Sequence, residues 1–294
     1  MTRPGTGGPP AGSLCLITGA TSGIGQAAAC QLAQRGARVL ATARNDQGRQ
    51  ALLSTLRASA PDADVEVLLC DLAELSQVRR LAKEVEQTYG GLDVLINNAG
   101  VSKFTYQLTV DGFETTFAVN HLAPFLLTNL LLPALSKARQ GRVVTVSSDV
   151  HKQVRKVGDL EFDAVAGQES FRPLSAYQKS KLMNVWFTRA LADNLGESTV
   201  TANCLSPGFV RTRLAREARG GFAVFTKLSR PFQKKAADAA RDVVNLAGAP
   251  ELATVTGKYF RGGRQVEPSA LARDAATARR LWELSAELSG LSSS

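Results

Sequence analysis

Tyr177 and Lys181 stand four residues apart in the run Ser175-Ala176-Tyr177-Gln178-Lys179-Ser180-Lys181-Leu182-Met183-Asn184-Val185-Trp186, which has the character of a helix opening. On a helix both side chains leave one face and reach the same bound molecule. A phenol has an ordinary pKa of about 10, too high to release a proton readily near neutral pH. An ammonium one turn away favours the phenolate and lowers that value. Tyr177 then becomes an acid/base for proton transfer to or from an alcohol oxygen. The same pair also occurs on helices by accident, so the surrounding elements have to decide.

Those elements alternate. Apolar runs at 14–18, 38–42, 65–69, 94–97, 142–147 and 200–205 predict strands, and segments 24–35, 47–59, 75–89, 113–137 and 176–195 carry helical spacing. Strand-helix alternation predicts right-handed crossovers and an α/β fold, a doubly wound parallel sheet with helices on both faces. Further helices at 234–246 and 270–288 flank a last strand within 255–260, and the whole of 13–294 is expected to form a single domain. Residues 1–12, rich in Gly and Pro, predict a disordered leader. In such a sheet, ligands sit at the carboxyl ends of the strands.

The polar and Gly-rich segments fall at those ends. Thr18-Gly19-Ala20-Thr21-Ser22-Gly23-Ile24-Gly25 follows the first strand and opens the first helix. Its glycines let backbone amides approach a diphosphate, whose charge a helix N-terminus favours; the bland alternative is a tight connection. The second strand runs out at Ala43 and Arg44. An acidic side chain there would accept a ribose diol, whereas a basic one pairs with a 2′-phosphate, so Arg44 favours NADP(H) over NAD(H), with Arg49 or Arg38 available to assist. Asp71 after the third strand could meet an adenine amino group or cap the next helix. Asn97-Asn98-Ala99-Gly100 after the fourth suits a close-packed cofactor wall or an Asn-rich turn. Asn120 lies four residues before Pro124, which has no N–H to give, so a kink is expected that exposes the Asn120 carbonyl to an ordered water; a solvent-facing Asn is the alternative. The fifth strand ends in Ser147, Ser148 and Asp149, and the sixth runs through Ser206, Pro207, Gly208, Phe209, Val210, Arg211 and Thr212.

In this order the motifs resemble the short-chain dehydrogenase/reductase family, over about residues 13–265. The resemblance implies a Rossmann-type fold and an NADP(H)-dependent oxidoreductase, an alcohol dehydrogenase or carbonyl reductase, that interconverts a ketone or aldehyde and an alcohol by hydride transfer. It implies Tyr177 as acid/base, Lys181 on the nicotinamide ribose, Ser148 (the second of its pair) on the substrate oxygen, and Asn120 supporting a water in the proton relay. It also implies Gly19, Ser22, Gly23 and Ile24 along the diphosphate, Asp71 and Leu72 at the adenine, and Asn97 by the adenine ribose. Ala99, Gly100, Pro207 and Gly208 would complete the cofactor wall, with Val210 and Thr212 at the nicotinamide end. The 29-residue step from Ser148 to Tyr177, and the run Gly141-Arg142-Val143-Val144-Thr145-Val146-Ser147-Ser148, resemble the retinol dehydrogenase-like branch. A membrane-anchoring N-terminus, which that branch carries, is the point of departure, and a soluble ketone reductase is the other expectation.

Charge does not choose the partner. A net charge of +9 and a pI of 9.6 suit nucleic acid, an anionic membrane or a phosphorylated cofactor equally. A small-molecule apolar carbonyl or alcohol is the expected substrate, with no nucleic acid and no integral membrane segment, because no apolar run approaches the roughly 20 residues a span needs. The protein is expected to be cytoplasmic, with Cys15, Cys30, Cys70 and Cys204 as ordinary reduced residues. Segments 149–173 and 209–230 are expected to be substrate loops, the second both apolar and basic, with His151 a substrate contact at the pocket mouth. Neither His121 nor His151 has metal-ligand company, so no metal is assigned. The resemblance further implies a homodimer or homotetramer pairing through the two long central helices. A non-catalytic NADPH sensor or scaffold, and a reductase of a conjugated C=C bond, are the competing readings.

Overall fold

One sheet carries everything else, in the strand order β3-β2-β1-β4-β5-β6-β7-β8. The strands are β1 (Leu14–Ile17), β2 (Arg38–Ala43), β3 (Val65–Leu69), β4 (Val94–Asn97), β5 (Arg142–Val146), β6 (Thr201–Ser206), β7 (Tyr259–Arg261) and β8 (Arg264–Gln265). The computed structural model describes residues 7–156, 168–208, 210 and 235–291. β1 to β7 run parallel and only β8 is antiparallel, folding back on β7. Gly262 and Gly263 make that reversal with φ of 57° and 73°, the left-handed pair a two-residue hairpin requires. β1 pairs with both β2 and β4, so the order of the chain across the sheet reverses there and opens a crevice at the carboxyl edge.

Helices cover both faces, as the alternation predicts. α1 (Gly23–Gln34), α2 (Asp46–Ser59) and α6 (Ala236–Gly248) pack one core with the sheet. The other core is built by α3 (Leu75–Tyr89), α4 (Thr115–Ser136), α5 (Pro173–Leu195) and α7 (Ala275–Ser289). Covering both faces explains why β1, β4, β5 and β6 are buried along their whole length.

Two expectations change here. By length and composition α4 is apolar enough to cross a membrane, but 78% of its most apolar stretch is buried in the protein, which makes it the central helix of a core. Residues 7–12, expected to belong to a disordered leader, lie instead against α6 and the end of α1. A Cβ on Gly248 would overlap the backbone of Pro9, and Gly12 N–H donates to the Gly36 carbonyl at 2.7 Å.

α7 lies over both central helices. Trp282 meets the Phe125 ring of α4 edge-on at 4.9 Å and stacks on Phe187 of α5 at 6.1 Å. Phe187, 2% exposed, also touches Phe125 at 5.7 Å and His121 at 6.4 Å. Phe187→Ala is therefore expected to cost about 3–5 kcal/mol, seen in urea denaturation as a lower midpoint with an unchanged slope. A loss below about 1 kcal/mol would show that α7 does not seal this core.

Candidate active site

The Gly-rich loop is held from behind by the end of β4. Thr18 Oγ1 accepts the N–H groups of Asn98 and Ala99, both at 3.1 Å, and Asn98 Nδ2 donates to the carbonyls of Thr18 (2.8 Å) and Gly19 (3.1 Å). Gly19 N–H donates to Thr42 Oγ1 of β2 at 3.3 Å. Gly19 has a φ of 67°, and a Cβ there would lie 2.6 Å from Ala99 Cα; one on Gly25 would overlap Asn98 Nδ2 and the Gly19 carbonyl. These two glycines are thus required by contact with the β4 turn. Ser22 precedes α1 with an extended backbone, its hydroxyl makes no capping bond, and the first helical turn has no acidic residue. A helix start with open donors and no competing carboxylate fits a diphosphate.

Of the three arginines considered for a 2′-phosphate, only Arg44 stands exposed just beyond the carboxyl end of β2. Arg38 begins β2 at the opposite edge, paired with Asp64 at 2.7 Å, and Arg49 is paired with Asp46 at 2.6 Å. Asp71 does not cap α3: Glu74 is the N-cap residue, the Leu75 N–H is taken by Asp111 at 2.9 Å, and Asp71 Oδ1 accepts the Ala73 N–H at 3.0 Å. Leu72 beside it is buried. The Asn97 side chain is not at the wall; it is buried and donates to Thr128 of α4 at 2.9 Å, and Asn98 is the residue that reaches the loop. The reason is strand alternation, which sends neighbouring side chains to opposite faces.

The four proton-handling residues converge at the same edge. Tyr177 and Lys181 lie one turn apart on α5, with the Lys181 Nζ 5.7 Å from the centre of the Tyr177 ring. Ser148 follows β5, and its hydroxyl acts on the Tyr177 phenol as a hydrogen-bonding partner that favours the phenolate. Its neighbour Ser147 turns the other way and donates to the Lys181 carbonyl at 2.7 Å, which separates the roles of the pair. Asn120 sits in a π-turn, Ala118–Leu122, within α4, where Ala123 N–H reaches back to the Ala118 carbonyl. The expected kink is this π-turn, and Asn120 is fully buried, not solvent-facing. Its Oδ1 accepts Val101 N–H at 2.7 Å, and its Nδ2 donates to the Val101 carbonyl and to Ser180 Oγ, both at 2.9 Å. Ser180 in turn donates to the Tyr177 carbonyl at 2.8 Å. Gly100 faces this group: a Cβ there would lie 3.3 Å from Lys181 Nζ and 3.6 Å from Asn120 Oδ1.

Burial sets the electrostatics. Lys181 is 3% exposed, donates to the Val146 carbonyl at 3.0 Å, and is pushed down to about 8. Burial likewise pushes Tyr177 up to about 12, and the hydrogen bond with Ser148 acts in the lowering direction. The expected lowering by Lys181 is therefore not the leading influence on the phenol, because the same desolvation that raises the tyrosine weakens the cation.

At the sixth strand, Pro207 is buried and Gly208, with a φ of 79°, donates to Ser206 Oγ at 3.2 Å. Val210 packs against the core on the α1 side. Thr212 lies outside the described residues, as do 157–167 of the first expected substrate loop and 209 and 211–230 of the second. His151 does not meet the pocket: it is fully buried, with its ring 5.0 Å from that of Tyr259. Sequence reasoning gave no role to Ser180 and Asp149, whose signal was only adjacency to a motif residue, and named Asn98 only as part of the wall.

A family model described as short chain dehydrogenase matches residues 13–158 and 162–221. Human retinol dehydrogenase 14 is 40% identical over 99% of this chain and 90% of its own length. The crystal structure of an uncharacterized protein from Mycobacterium paratuberculosis is 36% identical, covers 96% of each chain and superposes with a TM-score of 0.77. A candidate NAD(P)-dependent gluconate 5-dehydrogenase from Beutenbergia cavernae, solved with bound NADP, is 27% identical over 86% of this chain and 96% of its own, with a TM-score of 0.70. The chain belongs to the retinol dehydrogenase-like branch of the short-chain dehydrogenase/reductase family, whose members are NAD(P)-using oxidoreductases.

His121, next to Asn120, gives a pH test of this packing. Ser285 donates to the Leu281 carbonyl at 2.6 Å, so His121 Nε2–H donates to Ser285 Oγ at 2.8 Å, and burial pushes the ring down to about 3 from 6.5. Between those values the unfolded chain takes up a proton that the folded one refuses, so stability falls as pH falls, by about 1.4 kcal/mol per unit from this group. Denaturation at pH 7.5 and pH 5 should show a larger acid loss for the wild type than for His121→Phe; equal losses would place the ring in contact with solvent.

Proposed function

We propose that the chain is an NADP(H)-dependent alcohol dehydrogenase or carbonyl reductase, acting on an apolar aldehyde or ketone and the corresponding alcohol. The observation that carries this is the Ser148–Tyr177–Lys181 cluster, with Asn120 behind it, at the edge where the Gly-rich loop and Arg44 also stand. Ser22 and the amides of Gly23 and Ile24 would hold the diphosphate, and Arg44 the 2′-phosphate. When bound, the nicotinamide supplies the hydride.

The chain's own part is proton management. With its pKa raised by burial, Tyr177 holds its proton at neutral pH, ready to give it to a carbonyl oxygen that Ser148 orients. The phenolate left behind lies over the Lys181 ammonium, which offsets its charge. Asn120, bonded to Val101 and through Ser180 to the Tyr177 turn, fixes that turn relative to the loop after β4. In the oxidative direction the step runs in reverse from the phenolate: Tyr177, once deprotonated and offset by Lys181, takes the proton from the alcohol that Ser148 orients.

An apolar substrate is supported by the segments that follow β4 and lead into α5, where the Tyr106 and Phe171 rings touch at 5.6 Å and Leu108 and Leu174 are exposed. The name of the human relative, a retinol dehydrogenase, points to an apolar alcohol of the same kind. Product analysis separates this reading from reduction of a conjugated C=C bond. Trp282 of α7 packs on both central helices through which a homodimer or homotetramer is expected, and sedimentation of the protein tests that pairing.

Tyr177→Phe should keep NADPH affinity and lose about 10²- to 10⁴-fold in turnover of apolar aldehydes; unchanged turnover would remove the tyrosine from the chemistry. Titration with NADPH and NADH should favour NADPH in the wild type, and Arg44→Asp should erase that preference. Equal affinities in the wild type would make Arg44 an ordinary surface residue.

A further inference from the structure

Ser148 must present its hydroxyl to Tyr177, yet the sheet stops holding the chain just before it. The β5–β6 ladder ends at Val146 opposite Leu205, and Ser147 N–H makes one further bond to the Leu205 carbonyl at 2.8 Å. Ser148 itself lies in extended backbone at the entrance to a 3₁₀ turn, Asp149–Gln153. Two of that turn's residues are tied to later parts of the chain.

The first is Asp149. Its N–H donates to Ser206 Oγ at 3.1 Å, and its carboxylate accepts from Ser206 Oγ (3.1 Å) and Tyr259 Oη (3.2 Å) and pairs with Arg261 Nε (2.9 Å). The second is His151, fully buried, whose Nδ1 lies 2.7 Å from the Ser148 carbonyl and whose Nε2 lies 3.2 Å from the backbone nitrogen of Ser269. A backbone N–H can only donate, so Nε2 is the acceptor, and a neutral ring then carries its proton on Nδ1. The carbonyl of Ser148 can only accept, which agrees. Both partners select one tautomer, and the ring spans from the serine's own peptide group to the segment between β8 and α7.

Resting on the proposed function, we propose that His151 is a positioning residue. Its Nδ1–H on the Ser148 carbonyl and its Nε2 on the Ser269 amide clamp the turn, so that the C-terminal part of the chain sets where Ser148 Oγ meets Tyr177.

The protein has two histidines, which makes the clamp directly observable. Long-range ¹⁵N–¹H correlation on ¹⁵N-histidine-labelled full-length protein, assigned with the His121→Phe variant, should show His151 as the Nδ1–H tautomer; an Nε2–H ring would overturn the proposal whether or not the protein turns over any aldehyde. Kinetics then test the consequence. In His151→Asn the amide nitrogen stands in for Nδ1 and can still donate to the Ser148 carbonyl; in His151→Gln the amide oxygen stands in for Nε2 and that donor is lost. With NADPH and a medium-chain aldehyde, His151→Gln should lose kcat on the order of 10²-fold with NADPH affinity and KM little changed, as a misplaced catalytic group does. His151→Asn, which keeps the Ser148 bond but breaks the Ser269 contact, should recover only part of that loss; full recovery would show that the C-terminal part of the chain does not set the serine. Wild-type kcat in His151→Gln, or losses in both variants that follow only their melting temperatures, would reduce His151 to core packing. Absence of turnover in the wild type would instead count against the proposed function, leaving the tautomer to decide the clamp.

Discussion

A nearly inaccessible ammonium is the constraint around which this site is arranged. Taking a charged amine out of water costs several kcal/mol unless dipoles replace the lost hydration. At Lys181 the Val146 carbonyl supplies one such dipole at 3.0 Å. The surroundings must then be close and well fixed. Gly100 can approach because it has no side chain, Ser147 ties the Lys181 peptide back to β5, and Asn120 gives up solvent to bond Val101 and Ser180. Each of these contacts brings a strand end or a helix turn up to the cation. The tyrosine above it is buried by the same closure, so the reluctance of the phenol to ionise and the lowered pKa of the ammonium have one cause.

What could be read in the sequence follows from how local the signal is. The Tyr177–Lys181 spacing survives because helical geometry fixes it within one turn, and the parallel sheet survives because strand-helix alternation leaves few topologies open. Judgements that needed direction in three dimensions fared less well. Arg38 and Arg44 flank the same strand and differ in which edge of the sheet they occupy, and Asn97 and Asn98 differ in the face they take. His151 carries no local sign of being a staple, since its partners, Ser148 and Ser269, lie on either side of β6 and β7 in the chain. α4 looks like a helix with a misplaced proline; the π-turn that Asn120 occupies emerges only when α5 and the loop after β4 are packed on it.

The two faces of the sheet divide the work. On the α1 side, close backbone approach dominates: Gly19 and Gly25 press against Ala99 and Asn98, and the helix start is left open for an anion. On the α4–α5 side, buried polar side chains dominate, and every one of Asn120, Ser147 and Ser180 bonds to backbone. The residues after β4 belong to both systems. Asn98 clamps the Gly-rich loop, Gly100 faces Lys181 two positions later, and Val101 bonds Asn120. Four consecutive residues thus fix the distance between cradle and proton donor. A side chain added at Gly25 would push first on Asn98, and through it on the peptide that carries Gly100 and Val101. Damage to the phosphate loop and damage to the proton machinery are consequently not independent in this fold, and the reason is the placement of one strand end at the point where the sheet reverses its order.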